Sequence, residues 1–215
     1  MPAKSATSTD SAFRALLDAF VAANGADSPS IRRALSRALR AGLPKAKARE
    51  AMRMVHLFGG FPRTLNALEA LAAASAGSKV NITDRSNTTD TIDQKAGAAL
   101  FTKIYGSSAG AVKTFLFNLD PCVATWIHEH AYGRVLTRRG LAAHERELLA
   151  VAALISTGQD KQLVSHLRGA VRCGATDAQI AQAVAAGLRG ANVASRARLQ
   201  KLINKTASRT RLENK

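Results

Sequence analysis

Apolar residues recur at steps of three and four along most of this chain, which is the period of amphipathic α-helices. In residues 142–157 the apolar stripe consists of Leu148, Val151, Ala152, Leu154 and Ile155. In residues 160–173 it consists of Leu163, Leu167, Ala170 and Val171. Gly158 and Gly174 follow these stretches, and glycine commonly ends a helix. The pattern predicts an antiparallel helix pair joined by a short turn.

Two ionisable residues lie on the apolar faces of this predicted pair. Glu147 shares the face of the first stripe, and His166 shares that of the second. A carboxylate near a helix start can instead face solvent, and a lone histidine on an apolar face can be a buried structural residue. An imidazole with an ordinary pKa near 6.5 can, however, both hold and release a proton. We expect Glu147 and His166 to approach one another or a common cavity.

The remaining segments also read as helices. In the first half, one helix is predicted to begin after Ser11 and a second to span residues 31–41. A third begins at Pro44, and a fourth spans residues 63–74 after a Gly-Gly-Phe-Pro break. In the second half, the helical pattern is interrupted at Gly106 and continues after it. A further helix is predicted to begin at Pro121. That last helix is predicted to bury a stripe formed by Val123, Trp126, Ile127, Ala131 and Val135.

The two halves have similar patterns when Gly42 is matched with Gly174. We interpret the chain as a tandem duplication whose first copy has lost the histidine, with Ala34 opposite His166. The predicted organisation is a disordered lead-in (1–10), a degenerate helical repeat (11–75), a polar linker (76–91), a second helical domain (92–206) and a mobile basic tail (207–215).

The second half resembles the carboxymuconolactone decarboxylase family, which includes alkylhydroperoxidase D. The resemblance rests on residues 133–158, GRVLTRRGLAAHERELLAVAALISTG, and 163–184, LVSHLRGAVRCGATDAQIAQAV. It implies an all-α fold of two tandem helical repeats, assembled as a trimer or hexamer. It also implies that Glu147 and His166 are the catalytic pair. In the peroxidase branch a Cys-x-x-Cys pair lies between them, but here those positions hold Gln159 and Gln162, which cannot form a thiolate.

The segment WIHEHAYGRVLTRRGL resembles the entry segment of family decarboxylases. From it we predict Arg134, Trp126 and Glu129 as substrate-binding residues. Arg134 has two interpretations, a clamp on a substrate carboxylate or an ordinary surface ion pair. His128 and His130 are two apart on a helix and face different directions, so no metal site is predicted there.

The formal charge of +16 favours anionic partners. Nucleic-acid binding therefore stays open beside a small anionic substrate, because arginines and lysines recur through residues 32–53. Cys122 and Cys173 fit no Cys-x-x-Cys or zinc pattern, which favours a reducing compartment. No membrane-spanning segment is predicted. We expect a cytoplasmic protein, with an organellar presequence as the alternative because the Ser/Thr-rich start turns amphipathic after Ser11.

These observations lead to three hypotheses. The first is a cofactor-free carboxy-lyase in which His166 delivers a proton, Glu147 orients the histidine and Arg134 holds the anion. The second is a basic helical scaffold that binds nucleic acid or an acidic partner, with Glu147 and His166 as relics. The third, an alkylhydroperoxidase-type antioxidant activity, is disfavoured because the two cysteines do not form a Cys-x-x-Cys pair.

Overall fold

The computed structural model describes residues 3–25, 27–76 and 90–213, with side chains described for 10–25, 27–76 and 90–206. Helices are the regular structure of this part of the chain, which confirms the predicted all-α class. The first half contains α1 (Ala3–Gly25), α2 (Ser28–Arg40), α3 (Lys45–Met54) and α4 (His56–Ser75). The second contains α5 (Gln94–Tyr105), α6 (Ala109–Leu119), α7 (Pro121–Trp126), a π-helix (Ile127–Leu136), α8 (Ala143–Thr157), α9 (Asp160–Arg172), α10 (Asp177–Gly190) and α11 (Val193–Glu213).

The helices begin and end at residues that commonly cap or interrupt helices. Asp27 caps α2 by accepting a hydrogen bond from the Ser30 amide, and Thr176 caps α10 through the Gln179 amide. Gly158 ends α8 with φ of 72°, a left-handed conformation that glycine adopts without strain. Gly60 interrupts α4 with φ of 78°, at the predicted Gly-Gly-Phe-Pro break.

The central helix is α8, in which ten consecutive residues from Arg146 to Ile155 are buried. It packs against α1, α9 and α10, while α5 packs against α9 and the π-helix. A single hydrophobic core includes residues from both halves of the chain, for example Leu16 and Leu35 together with Leu149 and Leu163. The tandem-duplication interpretation stays a prediction. Most of the predicted linker, residues 77–89, lies outside the described residues.

The first and last helices extend into segments for which the sequence predicts no helix. Helix α1 begins at Ala3, inside the segment expected to be a disordered lead-in. Once the amphipathic stretch after Ser11 has nucleated a helix, each added residue gains a backbone hydrogen bond. Helix α11 likewise continues to Glu213, through much of the segment expected to be a mobile tail. Within the described residues, every helix is too short or too polar to cross a membrane.

The predicted stripe of the helix opened by Pro121 is wrong at two positions. Val123 is 43% exposed and Trp126 is 65% exposed, whereas Tyr132 and Val135 are buried. The predicted stripe joins positions of α7 to positions of the π-helix at residues 127–136, and the wider turn of the π-helix means that one 3.6-residue stripe does not continue across both. This segment also packs closely on α5, where an added Cβ at Gly97 would lie 2.7 Å from the Gly133 Cα.

Candidate functional site

Glu147 and His166 meet in the interior of the molecule. Nδ1 of His166 lies 2.9 Å from Oε2 of Glu147, at hydrogen-bonding distance. The glutamate side chain is 2% exposed and the histidine side chain 14% exposed. The two residues face each other because the turn at Gly158 folds α9 back along α8. The predicted approach of these two side chains is present in the structure.

The geometry determines which histidine nitrogen is available for chemistry. Because Nδ1 is directed at an acceptor oxygen, it carries a hydrogen and donates it to Glu147. The second ring nitrogen, Nε2, is then the atom that can exchange a proton with another molecule. Burial alone disfavours the charged imidazole, but the negative charge of Glu147 and the hydrogen bond to it outweigh burial and raise the pKa of His166.

A glycine makes room for the glutamate carboxylate. Gly169 lies one turn after His166 on α9, and a Cβ atom there would stand 2.5 Å from Oε2 of Glu147. The same added atom would lie 2.8 Å from Cγ2 of Ile104. Such contacts are too short for real atoms, so only a residue without a side chain admits the carboxylate at this point.

Two tyrosines and a cysteine also lie in the electrostatic environment of Glu147. Burial raises the pKa of Tyr132 well above its usual value, and the nearby Tyr105 and Glu147 add to this effect. Burial also raises the pKa of Tyr105, with a hydrogen bond from Tyr132 opposing it and Glu147 contributing further. Burial and Glu147 raise the pKa of Cys173 to about 11, so this thiol stays protonated at neutral pH. Both tyrosines are therefore neutral hydroxyl groups beside a carboxylate.

The sequence analysis missed these tyrosines because their positions depend on packing between distant elements. Tyr105 ends α5 and Tyr132 lies in the π-helix, and Phe101 packs against both, with ring centroids 4.5 and 4.9 Å away. Phe58 of α4 approaches His166 edge-on, with ring centroids 6.5 Å apart. Aromatic residues at helical spacing carry no sequence signal that separates such neighbours of a site from ordinary core residues.

The three residues predicted to bind substrate lie elsewhere. Arg134 forms an ion pair with Asp90 at 3.0 Å, Glu129 accepts a hydrogen bond from Gln94 at 3.1 Å, and Trp126 is exposed. No hydrogen bond or ion pair in the described chain joins any of them to Glu147 or His166. The surface ion pair considered for Arg134 is therefore present. Gln159 and Gln162, at the positions of the family's cysteines, are exposed at the start of α9.

The two histidines of the π-helix have different neighbours. His128 packs between Phe101 and Phe117, with ring centroids 4.6 and 5.9 Å away. His130 instead places Nε2 2.7 Å from Nε2 of His56 on α4. In the described part of the chain no group of three or more metal-binding side chains is assembled.

Comparison with known proteins identifies a family for this segment. The all-α structure is consistent with the carboxymuconolactone decarboxylase type of fold. Residues 121–199 match the model of the carboxymuconolactone decarboxylase family, and this matched segment holds both Glu147 and His166. The resemblance inferred from residues 133–184 is thereby confirmed.

The match extends beyond this segment in one relative. The chain is 30% identical over 138 residues to a protein named Peroxisomal protein 2 of Schizosaccharomyces pombe. The aligned part covers 64% of this chain and 65% of that protein, so the chain spans less than two thirds of the relative's length.

Proposed function

We propose that this carboxymuconolactone decarboxylase-like protein is a cofactor-free enzyme that moves a proton during decarboxylation of a small carboxylate or lactone. The single observation that carries the proposal is the buried contact of 2.9 Å between Nδ1 of His166 and Oε2 of Glu147. A hydrogen-bonded carboxylate fixes the tautomer and orientation of an imidazole and stabilises its charged form.

The proposed step divides the work between the two residues. The bond between the substrate carbon and its carboxylate breaks, carbon dioxide leaves, and the electron pair moves into a conjugated carbonyl group of the substrate. Nε2 of the protonated His166 then delivers its proton to the carbon. Glu147 stabilises the imidazolium before the transfer. A proton from solvent then returns His166 to its protonated form. A neutral tyrosine such as Tyr105 is able to donate a hydrogen bond to the developing oxyanion.

The test is turnover of carboxymuconolactone and related small lactone carboxylates, followed as carbon dioxide release. We expect His166→Gln to lower kcat by about 100-fold or more, the usual range for a lost general acid. Glu147→Gln is expected to lower kcat by a smaller factor, because glutamine still holds the ring but does not stabilise its charge. His144→Gln serves as the matched control and is expected to retain activity. Unchanged turnover in His166→Gln would refute the assignment.

The strong positive charge supports a second candidate, a helical scaffold that binds nucleic acid. Arg32, Arg33, Arg37 and Arg40 of α2 are all exposed and so are available to phosphate groups. Salt-sensitive binding to random duplex, together with no turnover of any small carboxylate, would select this candidate over the enzyme.

We further propose that the chain forms a homo-oligomer, a trimer or hexamer, through an apolar surface on α6 and α7. This α6–α7 surface is formed by Phe115, Phe117, Leu119, Val123 and Trp126, all of them exposed. No residue of α6 is buried, and apolar side chains grouped in this way are typical of association surfaces. A second copy of the chain would remove them from water.

Substitution within this surface tests the oligomer. Phe115→Asp is expected to weaken self-association by about 100-fold or more, because it places a charge in a buried apolar contact. Sedimentation velocity at micromolar concentration measures the change. Val193→Asp is the matched control, since Val193 is 74% exposed but lies on α11. A wild-type protein that sediments only as monomer would exclude the oligomer.

The cytoplasmic location expected from the sequence remains a prediction. The name of the yeast relative supports a peroxisomal location as the alternative. Imaging of a tagged full chain in its own host distinguishes the two.

A further inference from the structure

A second group of ionisable side chains lines a cleft on the other side of the π-helix. The cleft has a volume of about 540 Å³ and lies between the α3–α4 junction and the π-helix. Its chemistry comes mainly from Arg53, His56, Phe61, His130, Arg134 and Arg138. A cleft of this size falls in the range that holds small organic molecules.

The two histidines of the cleft form a pair with defined tautomers. Nδ1 of His56 lies 2.5 Å from the Arg53 carbonyl oxygen, so it carries a hydrogen and donates it. In a neutral His56, Nε2 is then an acceptor, and Nε2 of His130 at 2.7 Å must be the donor. A further proton on the pair would therefore go to Nδ1 of His130. Burial, His56 and Arg134 lower the pKa of His130, while Asp90 acts in the opposite direction.

Positive charge exceeds negative charge around the cleft. Glu50, directly behind it, pairs with Arg53 at 2.5 Å and Arg138 at 2.9 Å, and it lies 3.6 Å from Arg146. Asp90 pairs with Arg134. Among the described residues that line the cleft, three guanidinium groups accompany one carboxylate, that of Asp90, which leaves an excess of two positive charges on the lining. The Nε atom of Arg134 is also buried without a hydrogen-bond partner.

The cleft offers an apolar contact beside this charge. Phe61 is 68% exposed, and its ring stacks on that of His56 with centroids 5.4 Å apart and planes 4° from parallel. An exposed aromatic face next to guanidinium groups suits a planar molecule that carries acidic groups.

We propose that this cleft binds a small planar dianion, a dicarboxylate or a phosphomonoester, between Phe61 and the guanidinium groups of Arg53 and Arg134. Two negative charges match the excess of two positive charges. The cleft is distinct from the Glu147–His166 pair, since neither of those two residues is among the described residues that line it. Binding of a dianion in the cleft therefore does not depend on the proposed decarboxylation.

Calorimetric titration of the full-length protein tests the proposal with three probes. Phthalate is a planar dicarboxylate, phenyl phosphate is a planar phosphomonoester, and benzoate is a planar monoanion of similar size. At least one dianion is expected to bind about tenfold or more tightly than benzoate, because a second charge-assisted contact forms. The comparison of phthalate with phenyl phosphate identifies the acidic group.

Three variants locate the binding site. Arg134→Gln is expected to weaken dianion binding by about tenfold or more, whereas Lys201→Gln, which removes one positive charge from an exposed position of α11, changes it by less than about twofold. Phe61→Ala removes the stacking face without disturbing the core and is expected to weaken binding of both aromatic dianions. His166→Gln, in the other site, is expected to bind normally.

The pH dependence provides an independent measurement. A bound dianion favours the protonated form of His130, so binding takes up a proton and is expected to tighten as the pH falls from about 8 to about 6.5. Asp90 is already paired with Arg134, and Glu50 with its arginines, so neither reverses this trend.

Several results would overturn the proposal. They are equal binding of benzoate and the dianions, an equal loss of affinity in Lys201→Gln, full affinity in Phe61→Ala, or no binding by wild-type protein that unfolds cooperatively on heating. A loss of activity in His166→Gln with intact dianion binding supports two separate sites. Loss of both activity and dianion binding in His166→Gln would show that the cleft and the Glu147–His166 pair form one site, contrary to this proposal.

Discussion

Replacing Glu50 by alanine is expected to lower the free energy of unfolding by about 3–5 kcal/mol, the usual result of removing one partner from a buried ion pair. Glu50 is 2% exposed and is hydrogen-bonded to Arg138 and Arg53. Arg146, at 1% exposure, would keep its buried charge with no carboxylate at 3.6 Å to compensate for it. Urea unfolding followed by circular dichroism measures the change.

A second variant separates the loss of the buried ion pair from the effect of removing any glutamate. Glu69→Ala removes an exposed carboxylate from α4 and is expected to change the free energy of unfolding by less than about 0.5 kcal/mol. A similar small change in Glu50→Ala would mean that the buried arginines are stabilised without the carboxylate.

The same carboxylate defines an acid-sensitive contribution to stability. Burial opposes the charged form, but hydrogen bonds and charge from Arg138 and Arg53 lower the pKa of Glu50. A carboxylate with a lowered folded-state pKa contributes stability that is present above its unfolded pKa, near 4.3, and is lost as pH falls through the folded value. In Glu50→Gln we expect a weaker dependence of stability on pH below about 5.

Replacing His166 by alanine is the second change with a large expected effect, again about 3–5 kcal/mol of lost stability near neutral pH. The carboxylate of Glu147 would remain buried while its partner at 2.9 Å is removed. If this reason is correct, the double variant with Glu147→Gln should recover about 1 kcal/mol or more relative to the sum of the single variants. Simple additivity would show that the two side chains do not interact.

The pH dependence of this pair has the opposite sign from that of Glu50. The pKa of His166 is raised in the folded protein, so its contribution is fully present below the unfolded pKa, near 6.5. It is lost as the pH rises through the folded value. Wild-type protein is therefore expected to lose stability over that window, and His166→Ala to show a flatter profile. An identical profile in both proteins would contradict the interpretation.

The sequence predicted those parts of the molecule that depend on local rules. Gly158 and Gly174 were expected to end helices, and both have positive φ angles. Glu147 and His166 were placed on facing stripes, because helical period and a short turn bring such residues together. These inferences need only residues that are near each other in the chain.

The parts that could not be predicted depend on long-range contacts or unusual backbone geometry. Trp126 was expected in the core because one 3.6-residue stripe was drawn through both α7, which ends at Trp126, and the following π-helix, whose turn is wider. Glu50 had no sequence signal as a buried residue, because its partners Arg138 and Arg146 lie about ninety positions later. His56 was passed over for the same reason, since His130 is 74 positions away.

The position of Glu50 has a consequence for where the protein can be divided. The family match begins at residue 121, yet a carboxylate that compensates the buried charge of Arg146 comes from α3, and α1 covers one side of α8. A fragment cut at the start of the family match would expose that side of α8 and leave the guanidinium without this partner. The matched segment is therefore expected to need the contacts of α1 and α3 for its stability, and variants of either half are best studied in the full chain.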